Sequence, residues 1–250
     1  MNMKSILWIA MVFAIVACGG NKTPKESDDK AQQVVKEAIV KHGGIRFLKS
    51  IVRFEFKGDQ YKITRRSSAY AYERTSGADP TMRDVLTDTR FRRARFQDAV
   101  EMSAQDSLAA AKSLLSVVQF AQFPYFLNDW QVIKQYLGET TIKSEPYHKV
   151  KVTFSDGLNV GDTYVFWFHR NNQTLDYLAF DFEVDGSGAR FRAATNPREV
   201  EGIRFADYVN YKPKTKKFKV EELDELFNKG ELERGTTVEL QNIQVDLIAN

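Results

Sequence analysis

Along most of this chain apolar and polar residues alternate with the two-residue period of half-buried strands, and only a few stretches shift to the period of about 3.6 residues that marks a helix. Val34, Val35, Ala38 and Ile39 form one stripe over Gln33 to Lys41, with Gly43 and Gly44 just past the last turn, which predicts a short amphipathic helix with a glycine cap. Strand patterns follow at Ile51 to Lys57, Tyr61 to Arg65, Ala69 to Glu73, Val85 to Thr89 and Arg90 to Phe96. From Ser103 the period becomes helical through Leu108, Ala111, Leu114, Leu115 and Val118, with Ser103 and Asp106 placed as a helix-opening pair and Pro124 ending the pattern. Trp130, Val132, Ile133, Tyr136 and Leu137 suit another short helix stopped at Gly138. The remainder reads as strands around Val150 to Phe154, Tyr164 to Phe168, Leu178 to Val184, Phe191, Ile203 to Phe205 and Val209 to Tyr211. A last helix is expected at Val220 to Asn228, and the closing alternation from Val238 to Leu247 slips by one residue near Asn242, as a bulge would make it do. Strands in series, interrupted by helices able to cross one mouth, predict an α+β fold: an antiparallel sheet curled into an incomplete β-barrel closed by short helices.

The N-terminus follows a different logic. Lys4 precedes an apolar run from Ile6 to Ala17, only 12 residues long, whereas a bilayer core needs roughly 20. Its end, Ile15-Val16-Ala17-Cys18, resembles the bacterial lipobox, which implies cleavage after Ala17 and lipid on Cys18. Cys18 is the sole cysteine, so no disulfide staples the fold. Residues 1–17 are therefore expected to be a lipoprotein signal peptide carrying export and palmitate attachment, residues 18–30 a flexible tether, and residues 31–250 one domain. Neither Gly19 nor Gly20 is the aspartate associated with retention at the inner membrane, so the resemblance favours a lipid anchor in the outer membrane. A formal net charge of +3 is too mild to indicate a nucleic-acid partner.

A more specific signal runs from Ser116 to Lys212. Val117-Val118-Gln119-Phe120, Phe123-Pro124-Tyr125, Leu127-Asn128-Asp129, Tyr136-Leu137-Gly138-Glu139, Tyr147-His148-Lys149-Val150 and Val152-Thr153-Phe154 come first. Asp176-Tyr177-Leu178-Ala179, Arg190-Phe191-Arg192, Asn196-Pro197-Arg198, Gly202-Ile203-Arg204-Phe205 and Asp207-Tyr208-Val209-Asn210-Tyr211 follow in order. This series resembles a family of uncharacterised outer-envelope lipoproteins. The resemblance implies a lipoprotein-carrier (Lol-type) fold, a curved sheet closed by helices around an apolar cavity, and it brings no established activity. Members of that family sometimes carry the label deoxyribose-phosphate aldolase, which this chain does not suit, because a TIM barrel needs eight alternating β-α units.

Chemistry is sparse. His42, His148 and His169 sit at no metal-binding spacing and read as structural; neither a metal nor a cofactor is expected, and no catalytic residue is assigned. Asp176, Asp181 and Glu183 invite a comparison with paired glycosidase carboxylates, but their alternation with apolar neighbours reads as a solvated strand face. Basic clusters at Arg90 to Arg95 and Lys212 to Lys219 read as solvated charge, with anionic lipid as the functional alternative. Aromatic content is the richer signal, with 18 Phe, 10 Tyr and 3 Trp. Phe123, Tyr125, Phe126, Trp130, Trp167, Phe180 and Phe182 are the candidate lining of a site for a hydrophobic small molecule or acyl chain. The expectation is a membrane-tethered lipid-binding protein, with an envelope scaffold that docks another envelope protein as the alternative, and a glycan or lipid hydrolase using Asp181 or Glu183 as the third reading.

Overall fold

The computed structural model describes residues 24–66, 69–155, 157–158, 161–182, 188–215 and 217–249. The signal segment and Cys18 lie outside them. Helix α1 (Pro24–Lys41) opens the described chain. It begins inside the stretch expected to be tether. Proline is preorganised for the first helical position, and acidic residues early in a helix complement its dipole, so a polar Pro-Lys-Glu-Ser-Asp-Asp composition extends the helix rather than excluding it. The predicted stripe is buried: Val34, Val35, Ala38 and Ile39 all join the main core.

A first run of strands follows: β1 (Lys49–Phe56), β2 (Asp59–Arg66), β3 (Ala69–Thr75), β4 (Met82–Thr87), β5 (Phe91–Arg95) and the two-residue β6 (Asp98–Ala99). Helix α2 (Ala104–Gln122) comes next, capped by Ser103, whose Oγ accepts from the Asp106 amide at 3.1 Å. A 3-10 turn over Tyr125–Asn128 leads to β7 (Val132–Ile142), β8 (Glu145–Phe154), β9 (Tyr164–His169), β10 (Leu175–Phe182), β11 (Gly188–Val200) and β12 (Ile203–Pro213). Short helix α3 (Leu223–Asn228) precedes β13 (Leu232–Val238) and β14 (Gln241–Leu247).

The strands form two antiparallel seven-stranded sheets, in the orders β14-β1-β2-β3-β4-β5-β6 and β13-β12-β11-β10-β9-β8-β7. Neither closes on itself, and with α1 and α2 laid against them they make the incomplete barrel of an α+β fold. Leu240 crosses between the sheets. Its amide donates to the buried Asp207 carboxylate at 3.0 Å, while Arg198 donates to Asp207 at 2.9 Å and also to the Leu240 carbonyl. The expected bulge is present where Asn242, at φ 51°, is the extra residue opposite Arg53 to Glu55.

The segment around Trp130 to Leu137 is not a helix but the start of β7. Val132 and Tyr136 are four apart, a spacing that satisfies both periods, and both face the core; Ile133 and Leu137 turn outward and stay exposed. Gly138 does not stop a helix; it lies at a register shift between Tyr136 and Gly138 opposite β8, with φ 111°.

The central part of the second sheet is buried on both faces. Its outer face carries a smaller core in which Ile142, Tyr147, Val165, Trp167 and Phe191 pack under Val220 and Leu223. Lys149 pairs with Asp224 at 2.8 Å and Lys151 with Glu221 at 2.6 Å, holding this helical cover in place. Among the described residues no helix is long and apolar enough to cross a membrane.

Candidate functional site

Helix α2 lies over the inner face of the first sheet and separates two cavities. The larger, about 940 Å³, is walled by Ala104, Ser107, Leu108, Ala111 and Leu115 on the helix. Opposite them stand Arg65, Tyr70, Tyr72, Leu86 and Phe91 from β2 to β5. Tyr125, Phe126 and Asp129 close one end. The second cavity, about 470 Å³, lies beyond Ser113, Ser116, Val117 and Phe120 of the same helix, against Phe56, Tyr61, Phe123, Tyr164, Phe180 and Arg192. The helical period explains the division, because residues at steps of three or four share a face and each cavity takes one stripe.

The predicted aromatic set is therefore split. Tyr125, Phe126 and Trp130 meet at the larger cavity, and Phe123 and Phe180 line the smaller. Phe123 also packs edge-on against Phe166 at 5.1 Å, so it fills core as well. Trp167 lines neither cavity. Strand alternation sends Phe166 and Phe168 to the main core and Trp167 to the opposite face, where it is fully buried beside Phe191. Phe182 ends β10, and its side chain lies outside the described part. Trp130 is the most open of the set, 79% exposed, and stands with the half-exposed Leu108 at the mouth of the larger cavity.

Electrostatics in the larger cavity centre on Arg65, whose role pattern reading missed. The signal was there: Arg65 takes the inward phase of the alternation Tyr61, Ile63, Arg65, where an apolar residue belongs. It is only 5% exposed. Its Nε donates to Gln122 Oε1 at 2.7 Å and its Nη2 to the Tyr72 hydroxyl at 2.6 Å, and the guanidinium lies 5.1 Å from the Tyr125 ring centroid. Asp129 lies in the same wall but outside ion-pair distance; burial raises its pKa against the pull of Arg65 and Lys134. In the smaller cavity Arg192 stacks on Phe120 and Phe180 and donates to Asn210, and burial brings its pKa down to about 10.

The other candidates separate. His42 is buried with Nε2 accepting from the Leu175 amide at 3.1 Å; His148 Nδ1 meets the Tyr136 hydroxyl at 2.9 Å; His169 Nδ1 accepts from the Asn171 and Asn172 amides at 3.2 Å and so shapes a hairpin turn. Among the described residues no group of His, Cys, Asp and Glu is arranged to hold a metal ion. Asp176 is half-buried on the Tyr147 hydroxyl, Asp181 is exposed and lines neither cavity, and Glu183 lies outside the described residues. The arginine cluster is divided by strand alternation: Arg93 chelates Asp84, Arg95 pairs with Asp79, and Arg90 reaches the rim of the larger cavity. The lysine cluster is partly paired too, Lys212 with Glu233 and Lys219 with Glu222, while Lys216 lies outside the described residues.

A curved pair of sheets, an α-helix lodged against them and a cavity between is an arrangement shared with known proteins, and a family model spans residues 25–240. The chain belongs to the family of unknown function DUF6503. The resemblance quoted from Ser116 to Lys212 falls inside that span. No curated protein matches the chain. Among solved structures, a domain assigned to outer membrane lipoprotein sorting from Vibrio parahaemolyticus superposes with a TM-score of 0.51 at 10% identity, covering 88% of this chain and 93% of that one. A LolA superfamily protein from Nitrosomonas europaea gives 0.49 at 11% identity, covering 88% and 94%. A DUF1329 family protein from Desulfovibrio piger gives 0.49 at 8%, covering 86% and 93%. The likeness to the Vibrio domain shows that this chain shares its fold, in keeping with the incomplete barrel expected from the sequence.

Proposed function

We propose that this protein is a lipoprotein tethered to the outer membrane through Cys18 that binds a hydrophobic ligand, a lipid or acyl chain, in the larger cavity and performs no chemistry on it. The observation that carries the reading is the cavity of about 940 Å³ beneath α2, open past Trp130 and Leu108. That volume is at the upper end of the range for small-molecule sites, roughly 300–1,000 Å³, and it suits one long chain. About a dozen methylenes moved from water into such a cavity contribute about 10 kcal/mol, enough to offset much of the roughly 4–15 kcal/mol that association costs. Long chains are therefore favoured over short ones. The likeness to the Vibrio domain adds support, since that protein is assigned to lipoprotein sorting.

Native mass spectrometry of the full chain purified from its own membrane tests the proposal. Wild-type protein is expected to carry a non-covalent ligand beyond the lipid on Cys18. Ser107→Trp, which projects an indole from α2 into the cavity from a partly exposed position, is expected to lose it while keeping its circular dichroism. Wild-type protein recovered without any such ligand sinks the reading. The scaffold alternative rests on β7, an edge strand with Ile133 and Leu137 exposed. A stoichiometric protein partner captured by crosslinking in cells, with no bound lipid, favours it.

A further inference from the structure

Arg65 is a buried cation on the inner face of a sheet and makes no ion pair among the described residues. Its bonds go to neutral groups, the Gln122 amide oxygen and the Tyr72 hydroxyl, with the Tyr125 ring beneath. Among the described residues no carboxylate lies within ion-pair distance of it, although elsewhere the buried cation–anion contacts are made, as Arg74 and Arg93 do with Asp84. A second cation nearby, Lys134, is likewise held by carbonyls, those of Leu127 and Val132. The charged side chains that line the cavity are Arg65, Arg90, Asp88 and Asp129, and Asp129, its pKa raised by burial, acts on Arg65 only from beyond ion-pair distance. Removing a guanidinium from water without an opposing charge is costly, and an anion brought in by a ligand removes that cost.

From this we infer that the larger cavity selects ligands by charge: it takes a single acyl chain that ends in a carboxylate, with the carboxylate on Arg65 and the chain running along the face of α2 toward Leu108 and Trp130. The inference rests on the acyl-binding reading above and sharpens it from any apolar ligand to an acidic one. One arginine matches one negative charge, and a cavity sized for one chain does not suit a two-chain phospholipid. Fixed at one end by Gln122 and Tyr72, the guanidinium is already oriented, so a charge-assisted bond forms with little further ordering.

The test uses the full chain in amphipol and two fluorescent probes of the same length, cis-parinaric acid and its methyl ester, with empty amphipol subtracted. Wild-type protein is expected to bind the acid at least tenfold more tightly than the ester, the discrimination that a hydrogen-bonded charge supplies. In Arg65→Met the acid is expected to fall to the level of the ester while ester binding stays; Arg65→Lys is expected to keep part of the preference. Arg83→Gln, on the outer face of the same sheet, is expected to leave the ratio unchanged. Equal wild-type affinity for acid and ester overturns the charge-selection inference and leaves acyl binding standing, and this comparison decides even if Arg65→Met fails to fold. Binding of neither probe overturns both. Displacement of the acid by acetate alone at submillimolar concentration also overturns the inference, since the site would then serve a small free anion.

Discussion

Asp84 on β4 is nearly buried between two cations, with Arg74 at 2.5 Å and Arg93 at 2.6 Å. Burial by itself would raise its pKa, but the bonds from Arg93 and Arg74 outweigh that and hold it below the usual carboxylate value. Because the folded value lies under the unfolded one, near 3.8, the contribution is complete above about pH 4 and is lost as pH falls through the depressed folded value. Asp84→Asn is expected to cost about 3 kcal/mol at pH 7, where it strands two half-buried arginines, and less as the wild type is acidified. Urea unfolding at several pH values measures both. His42 works at a higher pH. Burial first, then Arg204 and Lys41, bring its pKa from 6.5 down to about 3. The folded state thus disfavours the charged ring, and stability present above pH 6.5 drains away as pH falls toward 3, by up to about 1.4 kcal/mol per pH unit. His42→Leu is expected to flatten that slope while losing about 1–3 kcal/mol through the orphaned Leu175 amide. An unchanged slope would show that another group is responsible. Both residues were visible in the sequence only as charge and a lone histidine, because what decides their behaviour is the set of partners brought from distant strands.

Where a segment's pattern admits one period, its element was legible: α2, with Ser103 and Asp106 at its start, and the strands from β1 to β3 stand where alternation puts them. Where two periods fit, it was not. Val132 and Tyr136 suit either, and only pairing with β8 decides for β7. Strand β13 was hidden for another reason: its residues between Leu232 and Val238 are exposed and polar, so burial imposes no alternation on them. The link between β13 and β14 is the element-scale feature that alternation cannot express. Asp207 gathers the Leu240 amide, Arg198 and Asn196 at a crossing between the two sheets. Asp207→Ala leaves a half-buried arginine and a buried amide unanswered, and a loss of about 3–5 kcal/mol is expected. Hydrogen exchange should show where: β14 and its partner β1 opening first, with the α3 side of the second sheet still protected. Uniform loss of protection would mean that the crossing is no separate joint.

At the scale of the molecule, strands in series interrupted by helices supplied the incomplete barrel and the family resemblance supplied its carrier-type cavity, but neither revealed that α2 divides the interior into two cavities or that β14 pairs with β1 from the far end of the chain. Those follow from long-range packing. They also bear on the anchor proposed at Cys18. With α1 beginning at Pro24, six peptide steps separate it from Cys18, and six steps reach at most roughly 20 Å. The anchor proposed at Cys18 would then hold the body of the protein beside the bilayer, where acyl ligands are concentrated. Several chains on one residue would make the proposed attachment effectively permanent, since a single chain gives only marginal binding and each buried CH2 adds about 0.8 kcal/mol. Cys18→Ser is accordingly expected to leave an unprocessed or soluble form and to move the protein out of the detergent-extracted membrane fraction. Radiolabelled palmitate is expected to mark the wild type alone. Label entering the variant would place the lipid elsewhere and free the cavity from its position near the membrane.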